Sequence, residues 1–66
     1  MNNWYLMNYR TGAVIKIAPF RELYPMAKKL WNERHNDESL ATFLRESWEH
    51  SCHGVGWDEY ELGIDN

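Results

Sequence analysis

The chain has 66 residues, a formal net charge of −3, four Trp, four Tyr and two Phe. A chain of this length forms one domain and buries only about 60% of the surface that its unfolded form exposes. Its single cysteine excludes a disulfide within the chain, and its apolar runs are too short to span a membrane. A charged segment followed by an apolar one, as in a secretion signal, is lacking. We therefore expect one soluble, cytoplasmic domain over residues 1–66.

Alternating apolar residues predict two strands near the start of the chain. Trp4–Tyr9 is apolar on both faces, which is typical of a central strand. A turn should follow, because Asn8 can bond the local backbone and Gly12 tolerates a positive φ. The second strand is predicted over Ala13–Ala18, with one set of alternate residues facing the helices. That set is Ala13, Ile15 and Ile17.

The first helix is predicted from about Glu22 to Glu33 or Arg34, because apolar residues recur there at intervals of three and four. This start places Pro25 in the first turn, where a missing N–H has little effect. The apolar stripe of this helix consists of Leu23, Met26, Ala27, Leu30 and Trp31.

The second helix is predicted from Glu38 to Trp48, with an end as late as Cys52 left open. Asn36 or Asp37 is expected to cap its first turn, since short polar side chains accept the free N–H groups there. Its apolar stripe consists of Leu40, Phe43, Leu44 and Trp48.

The glycines of Gly54-Val55-Gly56 predict a break, followed by one last strand. Alternation along that strand predicts that Trp57 faces away from the helices and is partly exposed. Its helix-facing residues would be Tyr60, Leu62 and Ile64, and its other face would carry Trp57, Glu59 and Glu61. The residues predicted to be mostly buried are Leu30, Leu44, Trp48, Ile15, Ile17 and Leu62.

The predicted fold class is α+β, with the order β-β-α-α-β and a three-stranded sheet covered on one face by two helices. The last strand is expected to pair with the first in parallel or with the second antiparallel. The apolar character of both faces of the first strand favours the parallel arrangement.

The sequence contains one compact set of candidate metal ligands or nucleophiles, namely His50, Cys52 and His53. Three ligands do not complete a structural zinc site, and adjacency in sequence does not align a thiol with a base. The carboxylates of Asp58 and Glu59 would point to opposite faces of a strand, so they would not share a substrate proton. We expect no metal, no cofactor and no enzymatic activity.

Charge is divided unevenly along the chain. Residues 1–45 hold seven basic and four acidic side chains, a balance of +3, whereas residues 46–66 hold six acidic and no basic ones, a balance of −6. This overall acidity disfavours nucleic-acid binding, which needs clustered cations. A single-stranded nucleic-acid-binding module is kept as an alternative, as is a homodimeric structural protein.

Abundant aromatic residues beside an acidic end are typical of a protein-binding module. Intracellular proteins of this size are often encoded by phages and mobile elements, where they inhibit or redirect a host enzyme. We predict a module of this kind, whose partner has a basic surface, as an enzyme that processes nucleic acid would have. The residues predicted to bind it are Trp57, Asp58, Glu59, Glu61, Tyr5 and Tyr9.

Overall fold

The protein is an α+β domain in which one face of an antiparallel sheet carries two helices. The computed structural model describes residues 3–48 and 54–65. The predicted class and the covering helices are confirmed, but the sheet has four strands and not three. The elements in chain order are β1 (Asn3–Asn8), β2 (Ala13–Ala18), α1 (Phe20–Asn32), α2 (Leu40–Trp48), β3 (Gly54–Trp57) and β4 (Tyr60–Asp65).

The strand order is β2-β1-β4-β3, and every neighbouring pair is antiparallel. β1 is therefore a central strand, as its two apolar faces predict. The expected pairing of the last strand is wrong, because β4 pairs with β1 and runs against it. The additional strand explains the difference: the chain leaves α2, forms β3 and reverses direction before it enters β4.

The segment Gly54–Trp57, predicted to begin with a break, forms the edge strand β3 of a tight hairpin. Asp58 lies in its turn with φ 53°, a left-handed conformation that Asp adopts more readily than most residues. Trp57 pairs with Tyr60 across this turn, so the two side chains lie on the same face. Trp57 is only 5% exposed, and the prediction of an exposed ring is wrong.

The β1–β2 hairpin confirms the predicted turn, but beyond a bulge it reverses the predicted faces of Ile17 and Ala18. Asn8 accepts the N–H groups of the next residues, and Gly12 has φ 81°. A bulge in the pairing leaves Ile15 without a direct partner. Ala18 is buried, whereas Ile17 is 49% exposed. The short connection from β2 to α1 brings the helix onto Ala18, and alternation then turns Ile17 to the uncovered face.

α1 begins at Phe20, directly after Pro19, and not at Glu22 or Leu23. The N–H groups of Glu22 and Leu23 bond to the carbonyl of Pro19, which closes the first turn early. Pro25 consequently lies inside the helix and not in its first turn, so the backbone lacks one hydrogen bond there. The predicted stripe is confirmed, since the buried residues of α1 are Leu23, Ala27 and Trp31.

α2 begins at Leu40, later than predicted, because Ser39 is its cap. The Ser39 hydroxyl accepts a hydrogen bond from the N–H of Thr42 at 3.2 Å. The prediction that Asn36 or Asp37 caps this helix is therefore wrong. Leu40 is 1% exposed, as its stripe predicts. An extension of α2 towards Cys52 falls on residues 49–53, outside the described residues.

The core lies between the two helices and one face of the sheet. Leu62 is fully buried, as predicted, whereas Leu30, Leu44 and Trp48 are only partly buried. Ile15 and Ile17 are exposed, so their placement in the core is wrong. Neither helix of the described chain has the length and apolar character that crossing a membrane requires. The largest side chains with almost no exposure are Leu6, Leu23, Leu40 and Leu62.

Candidate functional site

The six predicted partner-binding residues divide among three environments. Trp57 lies in the core, against Trp31 and Phe43, with ring centroids 6.1 and 6.3 Å away. Asp58 and Glu59 lie in the β3–β4 turn. The other three predicted residues share the uncovered face of the sheet, and they are Tyr5, Tyr9 and Glu61.

The carboxylates of the β3–β4 turn attach that turn to the segment that follows α1 and to the end of β1. The Asp58 carboxylate lies 3.1 Å from Nε2 of His35, whose ring stacks on Trp31. Glu59 accepts a hydrogen bond from the side chain of Asn8 at 2.8 Å and lies 3.7 Å from the guanidinium of Arg34. Exposed pairs of this kind stabilise a fold only slightly, by about 0–1 kcal/mol. These contacts nevertheless engage, within the chain, two carboxylates that were predicted to bind a partner.

The uncovered face of the sheet is rich in exposed apolar side chains, and we call it the tyrosine face. Tyr5 pairs with Ile17, and Met7 pairs with Val14, so these side chains point the same way. Met7 also pairs with Glu61 on β4. Tyr9 follows β1, and its ring lies 3.8 Å from the position of a Cβ on Gly56, the partner of Glu61. The tyrosine face consists of Tyr5, Met7, Tyr9, Val14, Ile17 and Glu61.

The two tyrosine rings of this face lean across the sheet towards β3. The Tyr5 hydroxyl donates a hydrogen bond to Glu61 at 2.7 Å, and the Tyr9 hydroxyl donates to the carbonyl of Asp58 at 3.1 Å. A Cβ on Gly54 would lie 3.2 Å from both the Tyr5 hydroxyl and a Glu61 carboxylate oxygen. The absence of a side chain at Gly54 therefore leaves room for the Tyr5–Glu61 pair.

The environment of Tyr5 favours its neutral form. Partial burial, the hydrogen bond to Glu61 and the negative charges of Glu61 and Asp65 raise the pKa of Tyr5 from 10.0 to about 12. Removal of its proton would place two anions in contact. The tyrosine face thus places the neutral ring of Tyr5 beside the carboxylate of Glu61.

We expect the Tyr5 ring to titrate near pH 12 in NMR spectra of tyrosine-labelled protein, with Tyr5→Phe identifying its signal. Glu61→Gln should lower this pKa towards 10 without reaching it, because burial is the largest cause and remains. The folded pKa exceeds that of the unfolded chain, so the contribution of Tyr5 to stability is complete below about pH 10 and is lost as the pH rises to about 12. A pKa near 10 in the folded wild type would contradict the Tyr5–Glu61 hydrogen bond.

A second surface lies between the start of β1 and the two helices, and we call it the aromatic groove. It is an open groove with a volume of about 560 Å³. Trp4 is its central ring, 4.7 Å from Phe20 and 5.2 Å from Trp48 between centroids. Four Trp, four Tyr and two Phe are many rings for a chain of 66 residues to bury, but composition does not say where exposed rings lie. The groove is lined by Trp4, Phe20, Tyr24, Ala41, Leu44, Arg45 and Trp48.

The structure does not describe the candidate metal ligands and nucleophile that the sequence contains. These residues, His50, Cys52 and His53, lie outside the described residues. Within residues 3–48 and 54–65, no three His, Cys, Asp or Glu side chains are grouped as a cation would require. The tyrosine face and the aromatic groove are two candidate surfaces of the described chain.

No protein-family model, curated protein or solved structure matches the chain.

Proposed function

We propose that the protein is a small non-enzymatic protein-binding module that contacts its partner through the tyrosine face. The form of this function that we favour is an inhibitor or modulator of a host enzyme, for example one that processes nucleic acid. The proposal rests on one observation, the concentration of exposed apolar side chains on the uncovered face of the sheet.

The exposures on this face are large for a monomer. Tyr9 and Val14 are each 54% exposed, and Ile17 is 49% exposed. Scattered exposed apolar residues are normal, but a contiguous group marks a contact surface. Tyrosine is also among the residues that contribute most to binding energy at interfaces. The tyrosine face therefore has both the apolar area and the ring type that a partner would use.

The charge of the tyrosine face supports a partner with a basic surface. Glu61 lies on the face, and Asp65 is close enough to Tyr5 to influence its pKa. Lys16 pairs with Leu6 and so belongs to the opposite, helix-covered side. Among the described strand positions of the tyrosine face, none is Lys or Arg. A partner with cations around an apolar patch would complement this arrangement.

The proposal is tested by affinity capture from a lysate with a tagged protein and a matched pair of variants. Val14→Thr combined with Ile17→Thr removes apolar contact area but keeps β-branched side chains, so folding should persist. We expect the captured protein to be lost with this double variant. Ala13→Thr introduces the same residue on the same strand, opposite Asn8 on the other side of the sheet, and should leave capture unchanged.

The contribution of charge is tested separately once the partner is purified. Glu61→Lys should slow association and flatten its salt dependence, since complementary charge acts mainly on the association rate. If the Thr double variant and Glu61→Lys both bind like the wild type, the tyrosine face is not the contact surface.

A second candidate is a homodimer, which the position of β2 favours. β2 is an edge strand, so one side of its backbone is unpaired, and Val14, Ile15 and Ile17 are all exposed on it. Exposed apolar edges tend to associate. Light scattering coupled to gel filtration decides between the candidates: a strict monomer at high micromolar concentration excludes the homodimer.

A further inference from the structure

The aromatic groove lies on the helix side of the sheet, away from the tyrosine face, and is lined by aromatic and apolar residues with one arginine. Trp4 enters it from β1, Phe20 and Tyr24 from α1, and Trp48 from α2. The rings of Phe20 and Tyr24 are 5.6 Å apart, so the aromatic wall is continuous. Its volume of about 560 Å³ falls in the range of about 300–1,000 Å³ that is usual for small-molecule sites.

Charge in the groove comes from a single lining residue, Arg45. Within the described part of the chain, Arg45 has no ion pair, because the salt bridges there involve only Arg34 and His35. A guanidinium binds carboxylates through two parallel hydrogen bonds and also stacks on aromatic rings. The groove therefore combines an apolar wall with one cation at its side.

We propose that the aromatic groove binds a small carboxylate with a flat, aromatic body, whose anionic group contacts Arg45. The ring system of such a ligand would lie against Trp4, Phe20 and Trp48, where aromatic rings pack favourably. A small ligand fits better than a protein surface, because only seven of the described residues line the groove. A stable protein interface buries about 800 Å² and involves about 20–30 residues on each partner. This site is independent of the proposed protein-binding function, since it uses the opposite side of the sheet.

The proposal is tested by NMR titration at low ionic strength with three probes that share a naphthalene ring and are similar in size. The probes are 2-naphthoate, 2-naphthylmethanol and 2-naphthylmethylammonium, which carry a negative, neutral and positive group. We expect signals of Trp4, Trp48 and Leu44 to shift, and 2-naphthoate to bind about two- to fivefold more tightly than the alcohol, as for an exposed ion pair. The ammonium probe should bind most weakly.

Variants separate the apolar wall from the cation. Arg45→Gln should remove the preference for 2-naphthoate over the alcohol and leave the affinity for the alcohol unchanged. Ala41→Leu places a larger, helix-compatible side chain in the groove and should weaken all three probes. Lys29→Gln removes the same charge from α1 outside the groove and should change nothing.

Three results would overturn the proposal. The first is equal affinity of the wild type for the anionic and neutral probes, and the second is shifts that cluster on the tyrosine face. The third is no binding of 2-naphthoate at millimolar concentration. Since none of these readouts depends on a protein partner, failure here leaves the proposed function of the tyrosine face intact.

Discussion

Replacing Trp57 with alanine is expected to lower the free energy of unfolding by about 3–5 kcal/mol, as for other buried tryptophans. Trp57 is 5% exposed and packs against Trp31, Phe43 and Tyr60. For a chain of 66 residues, the total stability is about 3–10 kcal/mol. The alanine variant should therefore be largely unfolded, which urea titration followed by far-UV circular dichroism will measure.

Trp57→Phe is the matched control for this experiment. The buried indole N–H of Trp57 has no hydrogen-bond partner among the described residues, which is unfavourable for a polar group. Phenylalanine removes that donor while it keeps most of the aromatic surface, so its effect should be much smaller than that of alanine. Because the Trp57 ring is buried, its fluorescence should be blue-shifted and poorly quenched by acrylamide, and Trp57→Phe should remove this emission. If Trp57→Ala instead melts like the wild type, the ring is outside the core.

The helical part of the fold is predictable from the sequence because its signal is local. A stripe with the period of the helix identifies the buried residues of α1 and, in α2, Leu40. The boundaries are less predictable: Pro19 starts α1 early, and Ser39 caps α2 in place of Asn36 or Asp37. In both cases several nearby residues are capable of the same role, and the tertiary position of the helix decides among them.

The fourth strand is not predictable in the same way. The β3–β4 turn contains Asp58 and Glu59 but no glycine, so it lacks the usual signal of a two-residue hairpin. A prediction that reads Trp57 and Tyr60 along one strand places them on opposite faces. Across a turn they become partners on the same face. One unrecognised turn therefore changes the strand order and also moves Trp57 into the core.

The candidate surfaces are predictable only in part. Tyr5, Tyr9 and Glu61 are singled out by composition and charge, and they do share one face. The carboxylates of Asp58 and Glu59 meet His35 and Arg34, which are distant in sequence, so their contacts follow from the fold and not from a local pattern. The aromatic groove likewise joins residues from three elements, which sequence spacing does not bring together.

Leu6→Ala is expected to lower the free energy of unfolding by about 2–5 kcal/mol, whereas Ile17→Ala should lower it by less than about 1 kcal/mol. Both changes remove three carbon atoms from neighbouring strands of one sheet. Leu6 is 0% exposed on the helix-covered side, but Ile17 is 49% exposed on the other side. The two variants therefore compare the two faces of the sheet directly.

Urea titrations of Leu6→Ala, Ile17→Ala and the wild type will give the two differences in free energy of unfolding. The dependence of that free energy on urea concentration should have the same slope for all three proteins. The expected difference between the two losses of stability depends on the bulge in the β1–β2 pairing, which leaves Ile15 unpaired. Without this bulge, the faces of β2 beyond it would be exchanged, because a shift of one residue moves every side chain to the other side. Equal losses for the two variants would place Ile17 in the core. The tyrosine face would then lack an apolar side chain on which the proposed protein-binding surface depends.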